Sequence, residues 1–161
     1  MNRTLIPSGG NDKVYTPVSL AKRIIDYYSP TGVKLEPCRG TGSFWEQMGV
    51  DTLWCELDDG IDFLTFEGSV DWIITNPPFS KHRAFLNKAM EVAKHIVFLC
   101  PINTFFLKAR LRDVKEKGFS ITEIIYIDTP KEFPQSGFQM GVIYLAQGLK
   151  DQIKITDWRG Q

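Results

Sequence analysis

Four consecutive residues, Asn76-Pro77-Pro78-Phe79, directly follow the apolar run Val70–Thr75 and form the chemically sharpest stretch of the chain. Two prolines in a row remove two N–H donors and fix an extended backbone, so only acceptors face outward there. The side-chain carbonyl of Asn76 and the main-chain carbonyl of Pro77 can both accept from one amino group, and Phe79 can stack on a ring bearing that group. Read as structure alone, the same residues are a proline-rich strand exit. Asn76, Pro77, Pro78 and Phe79 are therefore the candidate catalytic residues.

Forty residues upstream lies the loop Glu36-Pro37-Cys38-Arg39-Gly40-Thr41-Gly42, whose glycines can let backbone N–H groups approach a ligand closely. Trp45 stands where a dinucleotide fingerprint has its third glycine, and no Gly-Lys-Ser/Thr is present to hold a triphosphate. Taken alone, a structural turn and a ligand cradle both account for this loop. Glu56 follows Glu36 by twenty residues, the spacing at which α/β nucleotide-binding proteins place a carboxylate for ribose hydroxyls; a solvated acidic turn is the other reading. Asp62-Phe63 then offers a carboxylate for an exocyclic amine beside an aromatic plane.

The elements that must position these groups alternate between helix and strand. Leu20, Ala21, Ile24, Ile25 and Tyr28 recur at helical spacing over Pro17–Tyr28, with Thr16 as the expected N-cap and Pro17 in the first helical position. A short strand, Val33–Glu36, precedes the glycine loop, and a short helix from Ser43 to about Met48 follows it. Strands are expected over Thr52–Leu57 and Val70–Thr75. A helix over roughly 81–94, capped by Ser80, would bury Phe85, Leu86, Ala89, Met90 and Ala93. The nearly continuous apolar run His95–Cys100 reads as a strand covered on both faces. A polar helix near Leu107–Lys117 ends at Gly118. Ile121–Ile127 and Gly141–Ala146 lack a helical pattern between them and predict an antiparallel hairpin at one edge of the sheet. The fold class expected is α/β, a mostly parallel sheet wrapped by helices, in one domain over residues 1–161.

Composition excludes several classes of function. The chain has 161 residues, 43% hydrophobic and 24% charged, which fits a globular domain and no disordered or collagen-like segment. No apolar run approaches the length of a membrane span and no secretory signal opens the chain, so a soluble, intracellular protein is expected, and the small size suits the cytoplasm of a bacterial or phage-infected cell. Cys38, Cys55 and Cys100 form neither a CxxC pair nor an even disulfide framework. His82 and His95 are too far apart, and too poor in Cys or carboxylate company, to suggest a metal, and no Ser-His-Asp arrangement can be argued. The net charge of zero hides an asymmetry: residues 51–71 carry seven acids and no Lys or Arg, whereas residues 72–161 carry thirteen basic and eight acidic side chains. A basic half can attract a polyanion. Lys81, His82 and Arg83 directly after the proline pair are candidate phosphate contacts. Lys108, Arg110, Arg112, Lys115 and Lys117 read more simply as a solvated helix face.

The combination EPCRGTGSF, CELD, DF and NPPF, preceded by Tyr15-Thr16-Pro17, resembles the AdoMet-dependent amino-methyltransferases, most closely the DNA adenine branch. The match covers about residues 14–80. The resemblance implies a Rossmann-like class I methyltransferase sheet with S-adenosyl-L-methionine as methyl donor and DNA adenine as acceptor. It further implies that Tyr15, Thr16 and Pro17, with Glu36, Pro37, Cys38, Gly40 and Gly42, hold the methionine part of AdoMet. Glu56, with Leu57 beside it, would bind the ribose, Asp62 and Phe63 the adenine, and Asn76, Pro77 and Phe79 the substrate amine. Phe133 lies where relatives often carry an aromatic for the opposite face of the base, although it can equally cap the core. Phe at position 79 suits adenine better than the glutamine-methylating enzymes, which usually read NPPY. An RNA or protein acceptor, or a non-catalytic binding subunit, are the alternatives.

The chain departs from that pattern in two places. Only five residues separate Glu56 from Asp62 where relatives place a helix and a strand, so the sheet is expected to lack one edge β-α unit and the adenine side of the pocket to be open. Everything after Phe79 is expected to be used in finishing the sheet, with no segment of these residues expected to form a target-recognition domain of the usual kind. Sequence choice would then fall to loops 80–84, 101–108 and 129–140 or to a partner subunit.

Overall fold

The computed structural model describes residues 13–161. The chain runs α1 (Val18–Tyr28), β1 (Lys34–Glu36), α2 (Ser43–Met48), β2 (Leu53–Trp54), β3 (Val70–Thr75), α3 (His82–Val92), β4 (Ala93–Pro101), α4 (Lys108–Glu116), β5 (Phe119–Tyr126), β6 (Met140–Gln147) and β7 (Lys154–Asp157). The seven strands form one sheet in the order β2-β1-β3-β4-β6-β5-β7. β2, β1, β3 and β4 are parallel neighbours, β6 is antiparallel to both β4 and β5, and β7 is parallel to β5.

Alternation along the central strands divides the core into two layers. Ile73, Ile96, Phe98 and Cys100 point to one face, where Leu86, Ala89 and Met90 of α3 and Val114 of α4 cover them. Ile74, Val97, Leu99 and Val142 point to the other, against Ala21, Ile24 and Ile25 of α1 and Phe44 and Met48 of α2. Full burial of each large side chain contributes about 1.5–3 kcal/mol, so these strands are apolar on both faces because both faces are covered. No helix among the described residues is long and apolar enough to cross a membrane.

The structure corrects several element boundaries. Pro17, not Thr16, is the N-cap of α1, its carbonyl accepting from Ala21 N at 3.0 Å. Ser80 does not cap α3: it sits inside a 3-10 turn, Phe79–Lys81, and Lys81 is the N-cap. Ala93 and Lys94 belong to β4, which is longer than its apolar run because β3 and β6 pair along its length. The β5–β6 pair is not at the margin of the sheet. β7 lies outside it, a polar strand whose Lys154, Ile155 and Asp157 are exposed and which no apolar alternation announces. β7 is latched to α1 across the sheet edge. Glu123 accepts from Tyr27 Oη at 2.8 Å and Thr156 Oγ1 at 2.6 Å, Trp158 meets the Tyr27 ring edge-on at 5.2 Å, and Arg23 stacks 4.1 Å above Trp158.

At the opposite margin, β2 has only two residues and no strand outside it among the described residues. Two 3-10 turns, Leu57–Asp59 and Phe63–Thr65, with a single bridge between Glu56 and Ile61, carry the chain from β2 to β3. The chain therefore passes from β2 to β3 without an intervening α-helix or strand, and β2 is the margin strand among the described residues.

Candidate active site

Because β1, β2 and β3 are parallel, the loops that follow them emerge at the same edge of the sheet. Those loops, with residues 13–16 leading into α1, enclose a cleft of about 410 Å³, within the range of small-molecule sites. Its walls bring together Tyr15, Thr16, Glu36, Pro37, Cys38, Gly40, Glu56, Leu57, Asp62, Phe63, Asn76, Pro78 and Lys81, which lie far apart in the chain.

Glu36 ends β1 at the floor of the cleft, 1% exposed. It accepts from the Thr75 hydroxyl and from Cys38 N at 3.1 Å. Burial nevertheless outweighs these donors and pushes the carboxyl up to about 8. Burial likewise holds the Cys38 thiol well above its ordinary range, and its Sγ donates to Asn76 O at 3.2 Å. The glycine loop turns through positive φ at Gly40 (55°) and Gly42 (92°), and a Cβ at Gly40 would meet the Tyr15 ring at 3.3 Å. Glycine there keeps the backbone close to the cleft without a side chain filling it.

Glu56 ties this loop to the next strand: Oε2 accepts from Gly40 N at 2.7 Å and Oε1 from Asp58 N at 3.3 Å. Each oxygen retains a lone pair, so hydroxyl donors can still be accepted. Asp62 caps the second 3-10 turn by accepting from Leu64 N at 2.9 Å with Oδ1. The Phe63 ring is not an open stacking plane. It is 1% exposed and packs on Phe85 at 5.2 Å, both residues lining the cleft, and Leu57, 58% exposed, adds apolar surface to the wall.

Asn76 leaves β3 at the opposite wall, and its amide is oriented by the chain that precedes α1. Nδ2 donates to Val14 O at 3.0 Å, which presents Oδ1 as the acceptor. The prolines that follow carry no N–H, and the carbonyl of Pro78 accepts from Lys81 N at 3.0 Å to close the turn. An amide fixed as an acceptor, beside a donor-free backbone and a carboxylate-lined cavity, can bind an amino group and expose its nitrogen to a cationic ligand.

Not every candidate lies on the walls. Pro17 caps α1, and Gly42 caps α2. Pro77 is buried, and Phe79 is half-buried against the α1-side core. His82 is no phosphate contact: as the first residue of α3 it turns inward, 2% exposed, edge-on to Phe105 at 4.9 Å, and burial lowers its pKa to about 4. Arg83 is engaged with Asp113 through two hydrogen bonds, at 2.7 and 3.0 Å. Phe133 is a core residue, 3% exposed, packed with Met140 and Ile127, and cannot face a base. Conversely, Lys13, Val14 and Asp59 line the cleft although no motif contains them, and so do Arg39 and Asp58, which lie within the motifs EPCRGTGSF and CELD but to which the resemblance gives no role. Arg39 lies 3.9 Å from the Trp54 ring centre and 3.0 Å from Asp59, and Lys13 pairs with Asp58. These contacts are tertiary, and no local spacing signals them.

No protein-family model matches the chain, and no curated protein does. Solved structures do. The M protein of the type I restriction enzyme EcoKI is 16% identical, with a TM-score of 0.71 over 94% of this chain and 49% of that one. A modification subunit assigned to a type I restriction enzyme of Vibrio vulnificus is 17% identical, with a TM-score of 0.68 over 93% and 48%. A Pyrococcus horikoshii protein assigned as an RNA methyltransferase is 19% identical, with a TM-score of 0.63 over 85% and 87%. The chain therefore has the Rossmann-like fold of class I methyltransferases, and it spans about half the length of the two restriction-system subunits.

Proposed function

We propose that the chain transfers a methyl group from S-adenosyl-L-methionine to the exocyclic N6 amine of adenine in DNA. The observation that carries the proposal is the Asn76 amide, locked by Val14 as an acceptor on the wall of a cleft whose other side is the glycine loop and Glu56. The cleft suits AdoMet in size and donor set. Its carboxylates, Glu36, Glu56 and Asp62, match a ligand bearing an ammonium, two ribose hydroxyls and an adenine amine, and the two left-handed glycines leave the room that a Cβ would take. When bound, the cofactor supplies an electrophilic methyl carbon on a sulfonium.

The residues of this chain would do the rest by orientation. Asn76 Oδ1, with the Pro77 carbonyl beside it, accepts the two amine hydrogens, draws the nitrogen lone pair out of conjugation with the ring, and aims it for in-line displacement. Leu57 packs the cofactor side, and Phe79, half-buried against the α1-side core, follows at the next turn. DNA as acceptor is supported by the basic excess after residue 72 and by the restriction-system subunits among the structural neighbours. The modification subunits among those neighbours also support a partner subunit for target recognition. Tritiated methyl from AdoMet is expected in DNA as N6-methyladenine. Asn76→Ala should lower transfer on the order of a hundredfold or more with an unchanged circular dichroism spectrum. Label confined to RNA, protein or cytosine would refute the acceptor.

A further inference from the structure

Two exposed phenylalanines lie on loops that leave the sheet at the same edge as the amine-binding corner. Phe106 is 46% exposed at the end of the 3-10 turn after β4, and Phe138 is 56% exposed shortly before β6. The loops are joined: Pro101 pairs with Met140 in the sheet, and Ile102 N donates to Gln139 O at 2.9 Å. The first loop also leans on the turn after the proline pair, where Thr104 Oγ1 lies 3.4 Å from His82 Nε2 and Phe105 packs on the same imidazole. Each exposed ring is thus one residue from an anchored neighbour, on a rigid footing next to Lys81 of the cleft wall.

Exposed cations lie beside the first of these rings. Of the seven Lys and Arg between Phe79 and Arg112, Arg83, Lys88 and Lys94 pair with Asp113, Glu91 and Asp71, whereas Lys108 and Arg112 are exposed, with Leu111, on the helix that Phe106 and Leu107 lead into. Apolar rings set among cations fit a polyanion whose interior is made of stacked planes. A neutral or basic protein groove would leave those charges unmatched on a solvent-poor interface.

We propose that Phe106 and Phe138 form a wedge that enters a nucleic-acid duplex where the acceptor base leaves the stack, with Lys108 and Arg112 on the flanking phosphates. The inference rests on the reading of the cleft as a base amine methyltransferase, and it assigns how a base inside a duplex reaches it. Unpairing and unstacking one base is costly, and inserted side chains offset that cost by filling the gap. The wedge is therefore needed for duplex DNA and dispensable for single strands.

The test is methyl transfer by the full chain to native and to heat-denatured genomic DNA, which present the same sites. The double variant Phe106→Ala/Phe138→Ala should retain transfer to denatured DNA within about twofold and lose about tenfold or more on native DNA, where the gap is left unfilled. Lys108→Ala/Arg112→Ala should weaken binding to both forms and reduce the salt dependence by about one unit of slope for each phosphate no longer held. Equal losses on both DNA forms, or no loss on either, would overturn the wedge; no loss would assign the rings to a protein partner. Absence of transfer by the wild-type chain to either form, with AdoMet bound, would instead refute the DNA acceptor and the wedge with it. Both rings are exposed, so their removal leaves the core intact, and an unchanged melting temperature checks that a native-only loss is not misfolding.

Discussion

Replacing Glu36 by Gln separates what its carboxyl does for the fold from what it does for the cleft. The side chain is buried, and burial raises its pKa from 4.5 to about 8 even though Thr75 and Cys38 donate to it. Between those two values the unfolded chain releases the proton and the folded chain keeps it. The folded state thus binds more protons, and stability falls as pH rises through that window. The loss is complete above about pH 8 and absent below about pH 4.5. Its size is at most about 1.4 kcal/mol per pH unit and on the order of a few kcal/mol in total. Glutamine keeps an acceptor for both donors and has no proton to lose. For a domain of this size each kcal/mol moves the melting temperature by about 2–4 °C. Glu36→Gln should therefore melt higher than wild type by several degrees at about pH 8.5 without cofactor, with the gap closing toward about pH 5. Thermal melts followed by circular dichroism across that range provide the measurement. A variant that melts lower at the alkaline end, or a gap that does not change with pH, would refute the assignment of Glu36 as a carboxyl held protonated by burial. With AdoMet added the order should reverse, because a cationic ligand favours the ionised carboxylate that only wild type can supply.

Three further sets of substitutions probe the frame of the site. Glu56→Gln cannot accept from both Gly40 N and Asp58 N while receiving ribose hydroxyls, so calorimetry should show AdoMet affinity lowered by about tenfold to a hundredfold; unchanged affinity would remove Glu56 from the pocket. Phe133→Ala should destabilise the fold by about 3–5 kcal/mol in urea, whereas Phe138→Ala should cost less than about 0.5 kcal/mol, a contrast that reversed values would contradict. Gly141→Ala would bring a Cβ to 2.5 Å from Ile102 Cγ1 and 2.9 Å from Ile125 O. A loss of about 1–3 kcal/mol is expected from that overpacking, and a neutral result would mean the β4–β6 packing is looser than its geometry.

The legible parts of this fold are those whose signals are local. β3 and β4 are apolar runs, the glycine loop and the proline pair punctuate the chain, and all of them fall where the residue types require. Local pattern fails where pairing decides instead: the run from Thr52 to Leu57 yields only Leu53 and Trp54 as strand because a margin strand has one partner to pair with. β7 carries a polar pattern and is a strand only because β5 offers it an edge. In the site, Glu36, Glu56, Asp62 and Asn76 are legible because each sits at a strand end or in a turn. Val14 is not, since what it contributes is a backbone carbonyl that any residue carries. His82 misleads because charge type says nothing of which way the first residue of a helix turns.

The latch between β7 and α1 makes the cleft answerable to a distant margin of the molecule. α1 begins shortly after the segment whose Val14 carbonyl steers Asn76, and its last turn is held by Glu123 of β5 and by Trp158 just beyond β7, on the far side of the sheet from β3. The helix is a tie-rod with one end in each place. Trp158 and Glu123 thus hold one end of the helix whose other end follows the carbonyl that orients the Asn76 amide, so two distant margins of the sheet share one rigid element.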